Sequence, residues 1–514
     1  MFSQSAIQSF VYMLPLSVGL LGTIASALAV PLDYQSHALS KKATALGNPY
    51  QAMLDVVSIM QSQYFIGSTW PSAIDWTRAV INAQLSAADS AILYSNESSN
   101  SLIDHYFSQV KAFYNDEDYV AVEGEAYDDM QWMVLEWLEA IKFVNLYTAL
   151  NPLAAAAAMD QQSIANSAHR ANQLWDLASA GYDTTLCGGG MIWNPRLTPY
   201  KNAITNELYV SSSVGMYLYF PGDSTVEPPV KANDPKFLKA AVDEYQWLST
   251  SNMTNAKGLY VDGFHISGWT SPSNIGSGKC DQRDESVYTY NQGILLSGLR
   301  GLWEATGTTS YLDSGHALIK SVIAATGWPT TTGGSWAGIG ANGILQETCD
   351  ATQSCSQDSQ TFKGIFFHHL AIFCEPLAVG QNEGVAHRAS PDLASQNAVD
   401  CSAYTAWIRY NAEAAYSTRN STGDFGMYWG AYSSPAPATH DQSADAADVR
   451  NKGVPNDQVW RRPDMAYQQV AAMVGPVPTA AANDPNDNGR GRTVETQQGG
   501  LAVLRALVQA EGGN

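Results

Sequence analysis

Two aspartates stand side by side at Asp128 and Asp129, at the head of the stretch YDDMQWMVLEWLEAIKF (127–143) and directly before an apolar run. Adjacent carboxyls with limited access to water cannot both ionise cheaply, so one is expected to hold its proton while the other stays charged. That division is the electrostatic starting point for a carboxylate acid and nucleophile pair, as in glycosidic-bond cleavage. The same residues also suit a plainer job. Asp128 can be the N-cap of the following helix, with Gln131 three positions on closing a capping box and Asp129 favouring the positive end of the helix dipole. One carboxylate is enough for capping, and the second is the surplus that points to chemistry.

Those carboxyls need an element to aim them. From Met130 to Val144 nearly every face is apolar, which predicts a helix surrounded by protein. The same periodicity recurs along the chain, separated by Gly, Pro, Asn and Thr clusters, with hardly any alternating strand pattern. Twelve helices are predicted, near 50–62, 71–88, 103–114, 128–150, 164–180, 204–220, 235–250, 290–305, 311–325, 361–373, 394–417 and 493–510. They fall into six pairs. The second member of each pair is apolar on most faces and begins in a polar, aromatic or Gly-rich stretch such as YDD, KNAITNE, YTYNQG, FKG or ETQQGG. The economical arrangement is an all-α, (α/α)6 toroid of six helical hairpins, with buried inner helices running the same way and their N-terminal ends meeting at one mouth. Asp128 and Asp129 then stand at the rim of a central cleft with Asn206, Glu207, Tyr290, Asn291, Gln292 and Lys363. The segment of about 418–492 breaks the rhythm and reads as a loop insertion before the last inner helix, with 483–492 as low-complexity disorder.

Composition narrows the partners. The chain has 48 Asp and Glu against 27 Lys and Arg, a net charge of −21, which argues against nucleic acid or anionic lipid as partner. Residues 10–28 are mostly apolar but interrupted by Ser, Gly and Thr, and end in Ala27-Leu28-Ala29. This reads as a secretory signal peptide (1–29) rather than a membrane span, leaving 30–514 as a single domain. Six cysteines suit up to three disulfides; Cys349 and Cys355 can close a small loop, and the other pairings stay open. Sequons at Asn96, Asn252 and Asn420 fit the same compartment. No Cys-x-x-Cys or His-Glu-x-x-His spacing occurs, and His368 and His369 are neighbours rather than partners on one helix face, so no metal and no cofactor is expected. The polar C-terminus gives no glycolipid-anchor signal, and a monomer without a stable membrane anchor is expected. Gly188 to Gly190 precede no Walker-type lysine and read as close loop packing. Fourteen Trp and 26 Tyr offer flat faces for stacking on sugars.

The motifs YDDMQWMVLEWLEA (127–140), CGGGMIWNP with YKNAITNELYV (187–210), YTYNQGILLSGLRGLWEATG (288–307), FKGIFFHHL (362–370), STRNSTGDFGMYW (417–429) and ETQQGGLAVLRAL (495–507) occur in an order that resembles glycoside hydrolase family 76. What the resemblance implies is an (α/α)6 fold and secreted, endo-acting cleavage of α-1,6-mannan by a retaining two-aspartate mechanism. Carried over, Asp128 is the nucleophile and Asp129 the general acid and then base. Retention needs the carboxyls about 5–5.5 Å apart, within reach of neighbours at a helix entry. Asn206, Glu207, Asn291 and Gln292 are candidates to grip mannose hydroxyls, and each also suits capping. Trp193, Tyr290 and Trp429 are candidates to stack on sugar rings, or core residues. Asp262, in GLYVDGFH, is either a further carboxylate of the cleft or an ordinary turn residue. Transglycosylation in the cell wall and a non-catalytic mannan-binding role are the competing functions.

Overall fold

A computed structural model describes residues 45–95, 100–117, 126–151, 161–353, 355–382, 384–432, 484–487 and 491–512. The signal peptide, the Asn96 sequon and the middle of the predicted insertion lie outside the described residues. Within them the chain forms helices α1 (Pro49–Tyr64), α2 (Asp75–Tyr94), α3 (Asn100–Asp116), α4 (Tyr127–Leu150), α5 (Gln161–Ser179), α6 (Ala203–Tyr219), α7 (Pro235–Thr250), α8 (Thr289–Thr306), α9 (Ser310–Ala325), α10 (Gln357–Phe373), α11 (Pro391–Ser402), α12 (Thr405–Ser417) and α13 (Val494–Ala510). Helices α2, α4, α6, α8, α10 and α13 touch in a closed circle, α13 returning to α2. Around them α3 packs on α2, α5 on α4, α7 on α6, α9 on α8, and both α12 and α1 on α13. This is the (α/α)6 toroid that the twelve-helix rhythm predicts.

The inner helices earn their place by residue type. Every residue of α6 from Ala203 to Met216 is buried, and so is every residue of α2 from Thr77 to Asp89. A helix buried on all faces packs closely only where small residues let backbones approach. Gly293 does this at the α8–α10 crossing, where a Cβ would lie 2.5 Å from the Phe366 Cα.

Helix starts are satisfied in two ways. In α1, α6, α7, α10, α11 and α13 the N-cap side chains of Asn48, Asn202, Asp234, Ser356, Ser390 and Thr493 accept backbone N–H groups. The inner helices α2, α4 and α8 begin at Ile74, Ala126 and Tyr288, whose side chains make no capping bond. Tertiary partners replace them. Glu495 on α13 accepts from the Ile74 N–H at 3.2 Å, and Glu347 accepts from the Thr289 N–H at 2.9 Å.

Three features depart from the sequence reading. The helix predicted over 394–417 is two, α11 and α12, because the chain steps at Ala403–Tyr404. Tyr404 there meets His316 at 2.9 Å, and Cys401 is tied to Cys374. Residues 484–487 and 491–492, read as disordered, are built into the fold. The Arg492 guanidinium donates to the Thr418 and Asp424 carbonyls and pairs with Asp484 and Asp487, while Asn486 accepts the Tyr428 N–H at 2.8 Å. Short strands also appear: β1 (Tyr200–Asn202), β4 (Gly263–Ile266) and β5 (Cys280–Asp284) form an antiparallel sheet in the order β1-β4-β5. Two small ribbons, β2 (Gly222–Asp223) with β3 (Val230–Lys231) and β6 (Gly340–Ala341) with β7 (Ile344–Leu345), complete the set. Segments of two to five residues are too short to display alternation.

The cysteines pair as Cys187–Cys280, Cys349–Cys355 and Cys374–Cys401. Among the described residues no helix is long and apolar enough to cross a membrane, and no cluster of three or more His, Cys, Asp or Glu is arranged to hold a metal ion.

Gly293→Ala is expected to lower unfolding free energy by about 1–3 kcal/mol, the usual range for overpacking a tight contact. Denaturant titration checks it; an unchanged midpoint would show that α8 and α10 can part without penalty.

Candidate active site

The N-terminal ends of five of the six inner helices, all but α13, frame a cleft of about 400 Å3. Its lining comes from the starts of α2 (Asp75, Trp76), α4 (Asp128, Asp129, Trp132), α6 (Asn202), α8 (Tyr288, Tyr290) and α10 (Asp358, Phe362), together with Trp193, Asn194, Tyr200 and Asp262 from the connecting segments.

Asp128 and Asp129 occupy the second and third positions of α4. Ala126 is the N-cap, so neither aspartate caps the helix. Gln131 does not close a capping box either; its amide donates to the Tyr127 and Thr205 carbonyls. The helix start is met instead by the loop before β1, where the Tyr127 N–H donates to the Trp193 carbonyl at 2.8 Å. Both carboxyls thus lie in the first helical turn, where the dipole favours negative charge.

Asp128 is only 9% exposed. Its Oδ1 accepts the Asp129 N–H at 3.1 Å and its Oδ2 accepts the Trp193 indole N–H at 3.0 Å. Burial pushes its carboxyl up to about 7. The backbone donors and the indole pull against that, and the nearby charge of Asp262 adds to it. Asp129 is half-buried and lines the same cleft.

Trp193 is held by more than its indole. Its own N–H donates to the Tyr200 carbonyl at 2.8 Å, which ties it to β1. The turn before it, Cys187 to Gly190, has positive φ throughout, a run that suits its three glycines. Lys201 locks this turn from below. Its fully buried ammonium donates to the carbonyls of Asp183, Gly189 and Gly190, each at 2.7 Å, and burial lowers its affinity for the proton to about 8. The Cys187–Cys280 disulfide fastens the turn to β5.

Asp262 stands at the entry to β4 rather than in an ordinary turn. Its carbonyl accepts the Ala203 N–H at 2.7 Å, and its carboxyl accepts the Tyr200 hydroxyl at 2.7 Å. Gly263 permits this: a Cβ there would lie 2.6 Å from the Asn202 Cα and from the Lys201 carbonyl oxygen. Burial raises the Asp262 carboxyl, and the Tyr200 hydroxyl tempers the rise. The cleft therefore gathers Asp128, Asp129 and Asp262 among aromatic faces, an arrangement that can supply an attacking carboxylate, a proton donor and a hydroxyl acceptor around one bond.

Of the other residues singled out in the sequence, Trp193 and Tyr290 line the cleft, and Tyr290 stacks on Phe362 with centroids 3.8 Å apart. Asn206, Glu207, Asn291, Gln292 and Trp429 are not among its lining residues. Asn291 and Gln292 follow Tyr290 on a helix, where successive side chains turn by about 100°. Gln292 is thereby aimed at the Tyr260 backbone, accepting its N–H at 2.8 Å and donating to its carbonyl at 2.9 Å, while Asn291 is buried beside Asp262. Asn206 lies one turn below the helix start and accepts the Met191 N–H at 2.7 Å, bracing the Trp193 loop. Glu207 is fully buried, its oxygens make no hydrogen bond among the described residues, and burial raises its carboxyl far above the usual range. Trp429 packs against Phe367 with the Lys363 ammonium over its ring. Lys363 itself is paired with Asp350 at 2.7 Å in the interior.

Sequence reasoning passed over Trp76, Tyr200, Tyr288, Asp358 and Phe362. Three of them carried a signal: Tyr288 and Phe362 lie inside quoted helix starts, and Asp358 is an acidic first-turn residue like Asp128, hidden because α10 begins four residues earlier than predicted.

Asp128 makes its own contribution to the pH dependence of stability. The folded carboxyl keeps its proton up to about 7, whereas the unfolded one releases it near 4. Between those values the folded state binds more protons, so stability falls as pH rises through that window. Asp128→Asn keeps an acceptor for the indole and removes the charge. Its unfolding free energy should exceed the parent's at pH 8 by up to about 4 kcal/mol, seen as a higher melting temperature, and match it near pH 4. A lower melting temperature at pH 8 would contradict the assigned burial of charge.

Comparison with known proteins places these features. The model of "Glycosyl hydrolase family 76" matches residues 50–433. Mannan endo-1,6-alpha-mannosidase DCW1 of Saccharomyces cerevisiae is 24% identical over 299 residues, 55% of this chain and 57% of that protein, and its Candida albicans counterpart is 22% identical over 45% of each. The chain thus aligns with about half the length of these curated relatives. A solved structure of an α-1,6-mannanase, GH76A of Salegentibacter sp. HEL1_6, holds α-1,6-mannotetrose in a variant inactivated at two consecutive aspartates. It is 17% identical and covers 90% of this chain and all of its own, with a TM-score of 0.57. Dfg5 from Chaetomium thermophilum in complex with glucosamine is 14% identical and covers 90% of each chain, with a TM-score of 0.55.

Proposed function

Because the chain belongs to glycosyl hydrolase family 76, we propose that it is a secreted glycosidase that cleaves internal α-1,6-mannosidic bonds of mannan by a retaining two-aspartate mechanism. The observation that carries this reading is the pair of carboxyls in the first turn of α4, opening onto an aromatic-lined cleft that also holds Asp262. The inactivated, oligosaccharide-bound relative and the yeast mannosidases support the substrate class. Three disulfides support an oxidising compartment.

Asp128 is the attacking carboxylate. Two N–H donors fix its orientation, so it approaches the anomeric carbon without first ordering itself. Asp129 protonates the leaving oxygen, then takes a proton from water as the glycosyl-enzyme is resolved. A group that exchanges protons in every turnover needs solvent, which its half-buried position allows. Asp262 and Tyr200 lie where they can hold hydroxyls of the sugar under attack.

Replacing water by a sugar hydroxyl in the second step makes the same enzyme a transglycosidase. The aromatic lining continues through Trp76, Trp132 and Tyr290, which offers a hold for an acceptor. Incubation with linear α-1,6-mannan, with and without an oligosaccharide acceptor, separates the outcomes. Shorter products mark hydrolysis and longer ones transfer, and an unchanged chain length would mark a binder and overturn the catalytic reading.

Asp128→Asn and Asp129→Asn should each lower kcat at least a thousandfold while circular dichroism stays native. Near-normal turnover in either would remove that residue from the mechanism. Trp193→Phe deletes a donor that favours the charged form of Asp128, so the acid limb of kcat/KM should move from near 7 to higher pH. A limb that stays in place would show that another group sets it.

A further inference from the structure

The ring encloses a second space beyond the floor of the catalytic cleft. Trp132 is the shared wall: it lines the cleft, and it also lines a cavity of about 60 Å3 that follows the ring toward the C-terminal ends of the inner helices. Along α4 this cavity runs from Trp132 to Lys142, about 15 Å of helix. Its sides are mostly aliphatic, drawn from Val80, Leu135, Leu138, Val214, Ile365 and Ile372. At its outer end Lys142 pairs with Glu139 at 2.9 Å, and Arg300 pairs with Glu304 at 2.7 Å.

Two polar groups on these sides are buried and uncommitted. Gln84 on α2 is 1% exposed, and neither its amide nitrogen nor its amide oxygen makes a hydrogen bond among the described residues. His369 on α10 is 5% exposed, and its Nδ1 likewise has no partner among them. Burial, with the charges of Arg505 and Lys142, brings the His369 imidazole down to about 3, so at neutral pH its ring is uncharged, one nitrogen donating and the other accepting. The serines of the lining are already engaged, since Ser211 and Ser297 both donate to the Ile294 carbonyl. A buried amide without a partner is costly, and a ligand that supplied one would recover that cost.

We propose that this cavity is a binding site for a small neutral molecule, one with a short aliphatic body and a hydroxyl or amide group at each end to meet Gln84 and His369. Size sets the upper limit: about 60 Å3 admits roughly four to six groups as large as a water or a methylene. Polarity sets the pattern. A buried water typically makes about three hydrogen bonds, and the aliphatic walls between the two anchors offer none, whereas an aliphatic body fits them. Charge sets the neutrality, because each charged residue of the lining is already paired and His369 is uncharged. The site differs from the catalytic cleft in place, lining and ligand, and it does not depend on the mannan-cleaving reading.

The test uses the full chain and 1,4-butanediol as the probe, in ligand-observed NMR titrations with butylammonium and butyrate as charged controls. Expected is saturable binding of the diol and none of either ion. Gln84→Met keeps the length of the side chain and removes both amide atoms. It should weaken diol binding about tenfold and, without the diol, raise the melting temperature, because an unpaired buried amide has gone. Ser297→Leu, which fills the space, should abolish binding. A crystal soaked in the diol should show it lying between Gln84 and His369. Absence of saturable binding, an affinity unchanged in both variants, equal binding of either ion, or a soaked crystal with water alone at Gln84 and His369 would each overturn the site.

Discussion

A carboxyl buried at the start of an inner helix is the constraint around which the mouth of this toroid is organised. Asp128 loses most of its water and recovers two N–H donors, one from its own helix and one from the Trp193 indole. The balance leaves it near neutrality in proton affinity. Such a balance survives only if the indole stays within about 3 Å of the oxygen, since hydrogen bonds weaken quickly beyond that. That requirement explains the investment below it. The Lys201 ammonium on three carbonyls, the Asn206 amide on Met191, the disulfide to β5 and the β1–β4 pairing all act on one loop, the one that carries Trp193.

The same solution recurs around the ring. Three inner helices lack a capping side chain of their own, and their open N–H groups are met by Glu495, by the Trp193 carbonyl and by Glu347. Burial pushes Glu347 up to about 7 and raises Glu495 as well. Each of these groups couples the start of one helix to another element, so these three ends are not independent of the rest of the fold. Where a full ion pair is used, at Lys363 and Asp350, it sits in the interior away from the cleft.

This division explains what the sequence revealed. Helices α4, α7 and α9 were legible to within a residue or so at each end, because apolar periodicity and turn residues are local signals. The ring followed from the apolar character of alternate helices. Asp128, Asp129, Trp193 and Tyr290 were legible as cleft residues because they begin or precede an inner helix. Asn206, Glu207, Asn291 and Gln292 share those polar stretches, yet a rotation of about 100° per residue turns them away from the opening, and a string of letters does not display rotation. The caps supplied by Glu495 and Glu347 were illegible for another reason: each is tertiary, joining residues 421 and 58 positions apart. Arg492 was missed because a Gly- and Asn-rich composition masks one well-placed guanidinium.

The adjacency of the two aspartates also acquires a physical sense. Neighbours in a first helical turn share the favourable dipole but face different surroundings, since the helix rotates between them. Here both side chains line the cleft, but one is held by the Trp193 indole and is nearly dehydrated, while the next is only half-buried. Had the two carboxyls come from separate helices, their relative position would depend on how those helices pack and would drift with every breathing motion of the ring. On one turn it is set by a single backbone segment. What the rest of the fold must then supply is only the difference between their environments, and a loop pinned by Lys201 on one side and open space on the other is enough to create it.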